Sequence, residues 1–104
     1  MVRVSMIPNE PIVTLKCSQG DIVLRAWEFN LYANDKAVTP SGTYTLICEN
    51  GARVPLTIEG NILLCDCTAE LSATAGRYLA KIKNEHGSEL LYSSLLNILV
   101  EVKP

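Results

Sequence analysis

The sequence predicts an all-β fold, a two-sheet β-sandwich of about seven strands. Three observations carry that reading. Apolar and polar residues alternate with a period of two through most of the 104-residue chain, the pattern of half-buried strands. Clusters of turn-forming residues recur roughly every ten residues, the spacing of sandwich strands. The third is the stretch from Asn61 to Lys83, NILLCDCTAELSATAGRYLAKIK. It reads as a strand, one short helical turn near residues 68–75, and a second strand entered through Gly76-Arg77-Tyr78. A Gly-x-Tyr entry is how many sandwiches cross from one sheet to the other, with the tyrosine hydroxyl bonding back to the backbone at the corner.

The remaining elements follow in order. Residues 1–11 carry Pro8 and Pro11 and predict an extended N-terminal arm, followed by one domain over 12–104. The arm's Val2, Val4, Met6 and Ile7 make it apolar for a free tail, so it should lie on its own domain or on a neighbour. Strand one is Ile12–Cys17, and Ser18-Gln19-Gly20-Asp21 is a turn. Strand two, Ile22–Tyr32, points Trp27, Phe29 and Leu31 to one side. Arg25 falls on the apolar parity, which a β-bulge would explain. Ala33-Asn34-Asp35-Lys36 and Pro40-Ser41-Gly42 are turns or loops. Strand three is Thr43–Cys48. Asn50-Gly51 favours a tight hairpin into strand four, Arg53–Ile58, where Pro55 implies a sheet edge. After the Asn61–Lys83 crossing, Asn84-Glu85-His86-Gly87 turns the chain into a last long strand, Leu90–Val102.

Composition bounds the function. Hydrophobic residues make up 48% of the chain and the net charge is −2, which argues against disorder and against a phosphate-neutralising surface. No nucleic acid is therefore expected as a partner. No apolar run is long enough for a membrane-spanning helix, and the N-terminus lacks the features of a signal peptide, so no membrane insertion is expected. Without secretion, Cys17, Cys48, Cys65 and Cys67 read as free thiols in the core. Cys65-x-Cys67 is not the Cys-x-x-Cys knuckle of structural zinc, and a Cys48–Cys65 disulfide is the alternative. His86 falls in a turn with no serine or cysteine context for a triad or dyad. The expectation is no enzyme, no catalytic or metal-binding residue and no cofactor.

The strand order, with IVTLKCSQGD, the long AWEFNLYANDKAV strand, the ENGARV hairpin, the Thr74-Ala75-Gly76-Arg77-Tyr78 corner and the final SSLLNILVEV strand, resembles the N-terminal immunoglobulin-like domain of bacteriophage baseplate upper proteins. The likeness spans roughly residues 12–102. It implies an Ig-like sandwich acting as a structural virion module of the tail or baseplate, localised to the virion and assembled in the host cytoplasm. Other virion proteins and copies of the chain itself would be its partners. No heptad segment follows the domain within these 104 residues, which makes capsid or tail decoration a competing role. A carbohydrate-binding module is a further alternative. Surplus apolar residues on nominally outer faces mark the interface candidates: Val2, Val4, Met6 and Ile7 on the arm, Ile62 and Leu64 beside the core cysteines, and Leu91, Leu95 and Leu99 on the last strand.

Overall fold

The computed structural model describes residues 2–7 and 13–103. Met1 and residues 8–11 of the predicted arm, with Ile12 and Pro104, lie outside the described residues. Eleven strands and one helical turn run in the order β1 (Val2–Ser5), β2 (Val13–Ser18), β3 (Val23–Ala33), β4 (Lys36–Ala37), β5 (Thr43–Cys48), β6 (Arg53–Pro55), β7 (Thr57–Glu59), β8 (Ile62–Cys67), α1 (Ala69–Ser72), β9 (Gly76–His86), β10 (Glu89–Tyr92) and β11 (Leu96–Glu101). Sheet one has the order β1-β3-β8-β7, with β4 also on β3. Sheet two has the order β2-β11-β9-β5-β6, with β10 also on β9. This is the strand grouping of an Ig-like sandwich. Most pairs are antiparallel, but β1 runs parallel to β3 and β2 parallel to β11.

The predicted crossing is present. β8 belongs to sheet one and β9 to sheet two, and α1 lies between them. Thr68 caps the turn, its hydroxyl accepting from the Leu71 N–H at 3.1 Å, as short polar residues do at helix starts. The Tyr78 hydroxyl then donates back to the Thr74 carbonyl at 2.9 Å. Gly76 has φ +152°, and a Cβ there would lie 3.1 Å from the Tyr78 hydroxyl oxygen. Glycine is thus required both for its backbone and to leave room for the ring.

The core lies between the sheets. Phe29 and Leu31 from β3, Leu63 and Cys65 from β8, Tyr44, Leu46 and Cys48 from β5, Ala80 and Ile82 from β9, and Ile98 and Val100 from β11 are all buried in one cluster, with Trp27 half-buried against it. Full burial of a side chain such as Phe29 or Ile82 is worth about 2 kcal/mol. The bulge anticipated at Arg25 is seen as a register shift between Val23 and Trp27. Arg25 has φ 54°, a left-handed conformation that costs a side-chain-bearing residue about 1 kcal/mol. Two carboxylates offset that cost. Asp66 Oδ1 accepts the Arg25 N–H at 2.8 Å, and Glu59 Oε2 accepts its guanidinium at 2.6 Å.

Three expectations are corrected. The segment 53–58 is two strands, because the chain changes sheets at Leu56, whose N–H donates to the Tyr44 carbonyl. β6 therefore edges sheet two and β7 edges sheet one. The segment 90–102 also divides. Ser93 and Ser94 are buried; Ser93 Oγ accepts the Ile82 N–H at 2.8 Å and donates to the Ser94 carbonyl at 2.8 Å. The hydroxyl replaces a ladder bond where β10 gives way to β11. Finally, the described part of the arm, residues 2–7, contributes to the core instead of standing outside it. Val4 is fully buried, Val2 and Met6 pack against the cluster, and the Ser5 carbonyl accepts the Ser94 N–H.

Two substitutions test the corner by equilibrium urea unfolding. Tyr78→Phe removes one hydrogen bond and should cost about 1 kcal/mol. Gly76→Ala adds backbone strain and displaces the ring, and should cost more, about 2 kcal/mol. Parental stability in Gly76→Ala would contradict this role.

Candidate interaction surface

The outer face of sheet two is built by the alternation that fills the core. On β9, Ala80 and Ile82 turn inward, which leaves Arg77, Leu79, Lys81 and Lys83 outward. Register places Lys16, Leu99 and Arg77 in one row across β2, β11 and β9. A second row joins Arg53, Ile47 and Lys81 across β6, β5 and β9. The face is therefore a set of apolar residues flanked by cations.

At its centre Ile47, Leu79 and Leu95, with Glu49, Lys81 and the strand backbone at Cys48 and Ala80, line a shallow depression of ≈ 210 Å³. Leu79 is 40% exposed and Leu95 is 43% exposed, which is high for leucines sharing one hollow. Local bonds hold the rim. Glu49 N–H donates to the Leu79 carbonyl, and Glu49 Oε1 accepts the Leu79 N–H at 2.7 Å. Lys81 Nζ sits 4.2 Å from the Tyr92 ring centroid, a cation–π contact that fixes both side chains. Lys83 pairs with Glu85 at 2.9 Å.

The outer face of sheet one differs. Glu28, Leu64 and Thr57 form one row across β3, β8 and β7, with Asp66 and Ile62 beside them on β8. Carboxylates outnumber cations there once the Arg25–Glu59 and Arg3–Asp35 pairs are matched. The sandwich thus presents a cationic, apolar face on one side and a more acidic one on the other.

The nine residues expected at an interface are dispersed. Leu91 and Leu95 are exposed, and Leu99 is half-buried between Lys16 and Arg77 on the sheet-two face. Ile62 is half-buried on the opposite sheet. Leu64 is only 4% exposed, and Val4 is a core residue, so neither offers free surface within this fold. Val2, Met6 and Ile7 are half-buried. Ile47 and Leu79 were missed. Their signal was one apolar residue in the outward parity of an otherwise polar strand. Ile22 and Leu24, the most exposed of a second apolar group, stand at 70% and 76% beside the bulge.

The cysteines, Asp21 and Asp66 are engaged in structure. All four cysteines are free; Cys48, Cys65 and Cys67 are buried and Cys17 is half-buried. Burial pushes the Cys65 thiol up to about 12, helped by the nearby Asp66 carboxylate. Burial also raises Cys48. Asp21 and Asp66 accept backbone N–H groups of Ser18 and Arg25. His86 is exposed at the end of β9. Among the described residues, no group of three or more His, Cys, Asp or Glu side chains is placed to hold a metal ion.

No protein-family model matches this chain, and no curated protein matches it.

The thiol burial predicts a pH dependence. An unfolded cysteine releases its proton near 9.0, while folded Cys65 holds its proton to about 12. The stability this contributes is fully present below pH 9.0 and is lost as pH rises toward 12. Unfolding free energies of the parent and of Cys65→Ala, measured from pH 8 to 11, should converge by about 1.4 kcal/mol per pH unit above 9. Parallel curves would contradict the assignment.

Proposed function

We propose that this chain is a structural bacteriophage virion protein, an Ig-like module that attaches to or forms part of the tail or baseplate through protein–protein contacts. The observation that carries the reading is the outer face of sheet two, where Ile47, Leu79, Leu95 and Leu99 stand among Lys16, Arg53, Arg77 and Lys81. Apolar area supplies affinity on contact, and the surrounding cations select an acidic partner surface and fix its register. The resemblance of the strand order and of the Gly76–Tyr78 corner to baseplate Ig-like domains supplies the virion setting. Other virion proteins and further copies of the chain are the partners that fit.

Decoration or cementing of a capsid or tail is the second reading. It is favoured by one observation. The N-terminal strand is used inside the sandwich, with Val4 fully buried, so this segment is not spare for anchoring to a neighbour. The carbohydrate-binding reading loses ground. Such modules stack sugars on exposed aromatic rings, and the tyrosines at the surface, Tyr32 and Tyr92, each carry a cation over the ring, with Arg3 3.9 Å and Lys81 4.2 Å from the ring centroids.

The test uses particles purified from a phage encoding the chain. The parent should be present at a fixed stoichiometry by quantitative mass spectrometry. A Leu79→Glu/Leu95→Glu variant should stay folded, since both positions are solvent-facing, and should be lost from the particle at least tenfold. Absence of the parent from particles would refute the virion reading. Incorporation of the folded variant at parental levels would refute the surface.

A further inference from the structure

We propose that Cys17 and Cys67 are a disulfide-forming pair, and that their oxidation staples the edge strand β2 of sheet two to β8 of sheet one. The inference is independent of the virion reading.

The geometry comes from the turn between β2 and β3. Cys67 is the last residue of β8 and points into the sandwich, where its Sγ lies 3.5 Å from the Asp21 carbonyl oxygen. Asp21 closes the tight turn that begins beside Cys17. Its N–H donates to the Ser18 carbonyl at 3.0 Å, and its carboxylate accepts the Ser18 N–H at 2.9 Å. Cys17 is bonded directly to Ser18 and packs against the core, so the turn brings the two thiols to the same end of the sandwich, where Cys67 is one of the neighbours that raise the Cys17 thiol. They come from opposite sheets and both turn toward the core, the approach from two sides that a disulfide across a sandwich uses. The other close pair in sequence, Cys65 and Cys67, shares one face of one strand and cannot join in this way. Cys65 Sγ instead lies 3.5 Å from the Asp66 carbonyl.

The chemistry is thiol–disulfide exchange with a small-molecule disulfide such as oxidised glutathione. Cys17 is the more accessible of the two thiols. Its thiolate attacks one glutathione sulfur, breaks the S–S bond and releases one reduced glutathione, leaving a mixed disulfide. The Cys67 thiolate then attacks the Cys17 sulfur, forms the Cys17–Cys67 bond and releases a second reduced glutathione. The two cysteines are oxidised and one glutathione disulfide is reduced, and the protons of both cysteine thiols end on the two glutathione thiols. Burial and the adjacent Cys67 push the Cys17 thiol up to about 12, so the reaction is slow at neutral pH and quickens with alkali.

The bond would act where the structure needs it. Among the described residues β2 pairs only with β11 and is an edge of sheet two. Tying it to β8 closes one end of the sandwich and restrains the unfolded chain over residues 17–67.

The folded full chain is incubated with oxidised glutathione at pH 9, quenched with acid, alkylated in denaturant and mapped by proteolysis and mass spectrometry. The expected result is one linked peptide joining Cys17 to Cys67, with Cys48 and Cys65 alkylated. The melting temperature should rise by roughly 10 °C or more, reversed by dithiothreitol. Cys67→Ser should instead accumulate glutathione on Cys17. Four alkylated cysteines in the parent, a link between any other pair, or a stable glutathione adduct on parental Cys17 would each overturn the proposal.

Discussion

One short segment ties the two sheets together, the helical turn α1 and the corner that follows it. Leu71 fills the core and Ser72 is buried beneath it. Ser72 Oγ donates to the Asp21 carbonyl at 2.6 Å, and the Ser72 carbonyl accepts the Gly20 N–H at 2.9 Å. Asn50 reaches over to donate to the Leu71 carbonyl at 3.2 Å, and Gln19 donates to the Ala73 carbonyl at 3.3 Å. The β2–β3 turn, the β5–β6 hairpin and the sheet crossing therefore meet on a single turn of helix. Each of those bonds gives a backbone group a partner at this end of the sandwich. Once α1 is seated, Tyr78 sets the start of β9, and β9 sets the register of β5, β10 and β11 on either side of it.

That dependence reaches the surface. β9 is the strand whose outward side chains, Arg77, Leu79, Lys81 and Lys83, run through the middle of the exposed sheet. A slip of one residue at the corner would turn those four inward and drive Ala80 and Ile82 into water. The apolar hollow between Ile47, Leu79 and Leu95 is thus a by-product of the same alternation that fills the core. It forms because each of two neighbouring strands carries an apolar residue on its polar side. The same crossing brings Cys67 to the turn that follows Cys17, which is why two thiols far apart in sequence share one end of the fold.

Most of this architecture was legible in the sequence, and the parts that were not have physical reasons. The corner, the Asn50-Gly51 hairpin and the Arg25 bulge each have a local chemical signature, and each is present. The change of sheets at Leu56 left no trace in the pattern, because Val54 and Leu56 keep their inward parity while the strand passes from one sheet to the other. The break at Ser93 was hidden for the opposite reason. A serine that replaces a ladder bond is buried, whereas a period-two reading places it in solvent. The apolar character of the arm was visible, but its parallel pairing with β3 depends on contacts nearly thirty residues away in register, Val2 opposite Phe29. Of the surface, Leu91 and Leu95 could be read directly. Ile47 and Leu79 were masked by the lysines and threonines around them, and the burial of Leu64 in an outward row could not be read from its parity.

The claim that α1 fastens the sandwich is tested most directly by native-state amide hydrogen exchange. The account predicts that the amides of Gly20, Leu71 and Ser72 exchange only through global unfolding, with protection equal to that of Leu46 and Ile82 in the central strands. If those three amides exchange orders of magnitude faster than the central strands, the helical turn opens on its own. It would then not be what holds the two sheets together.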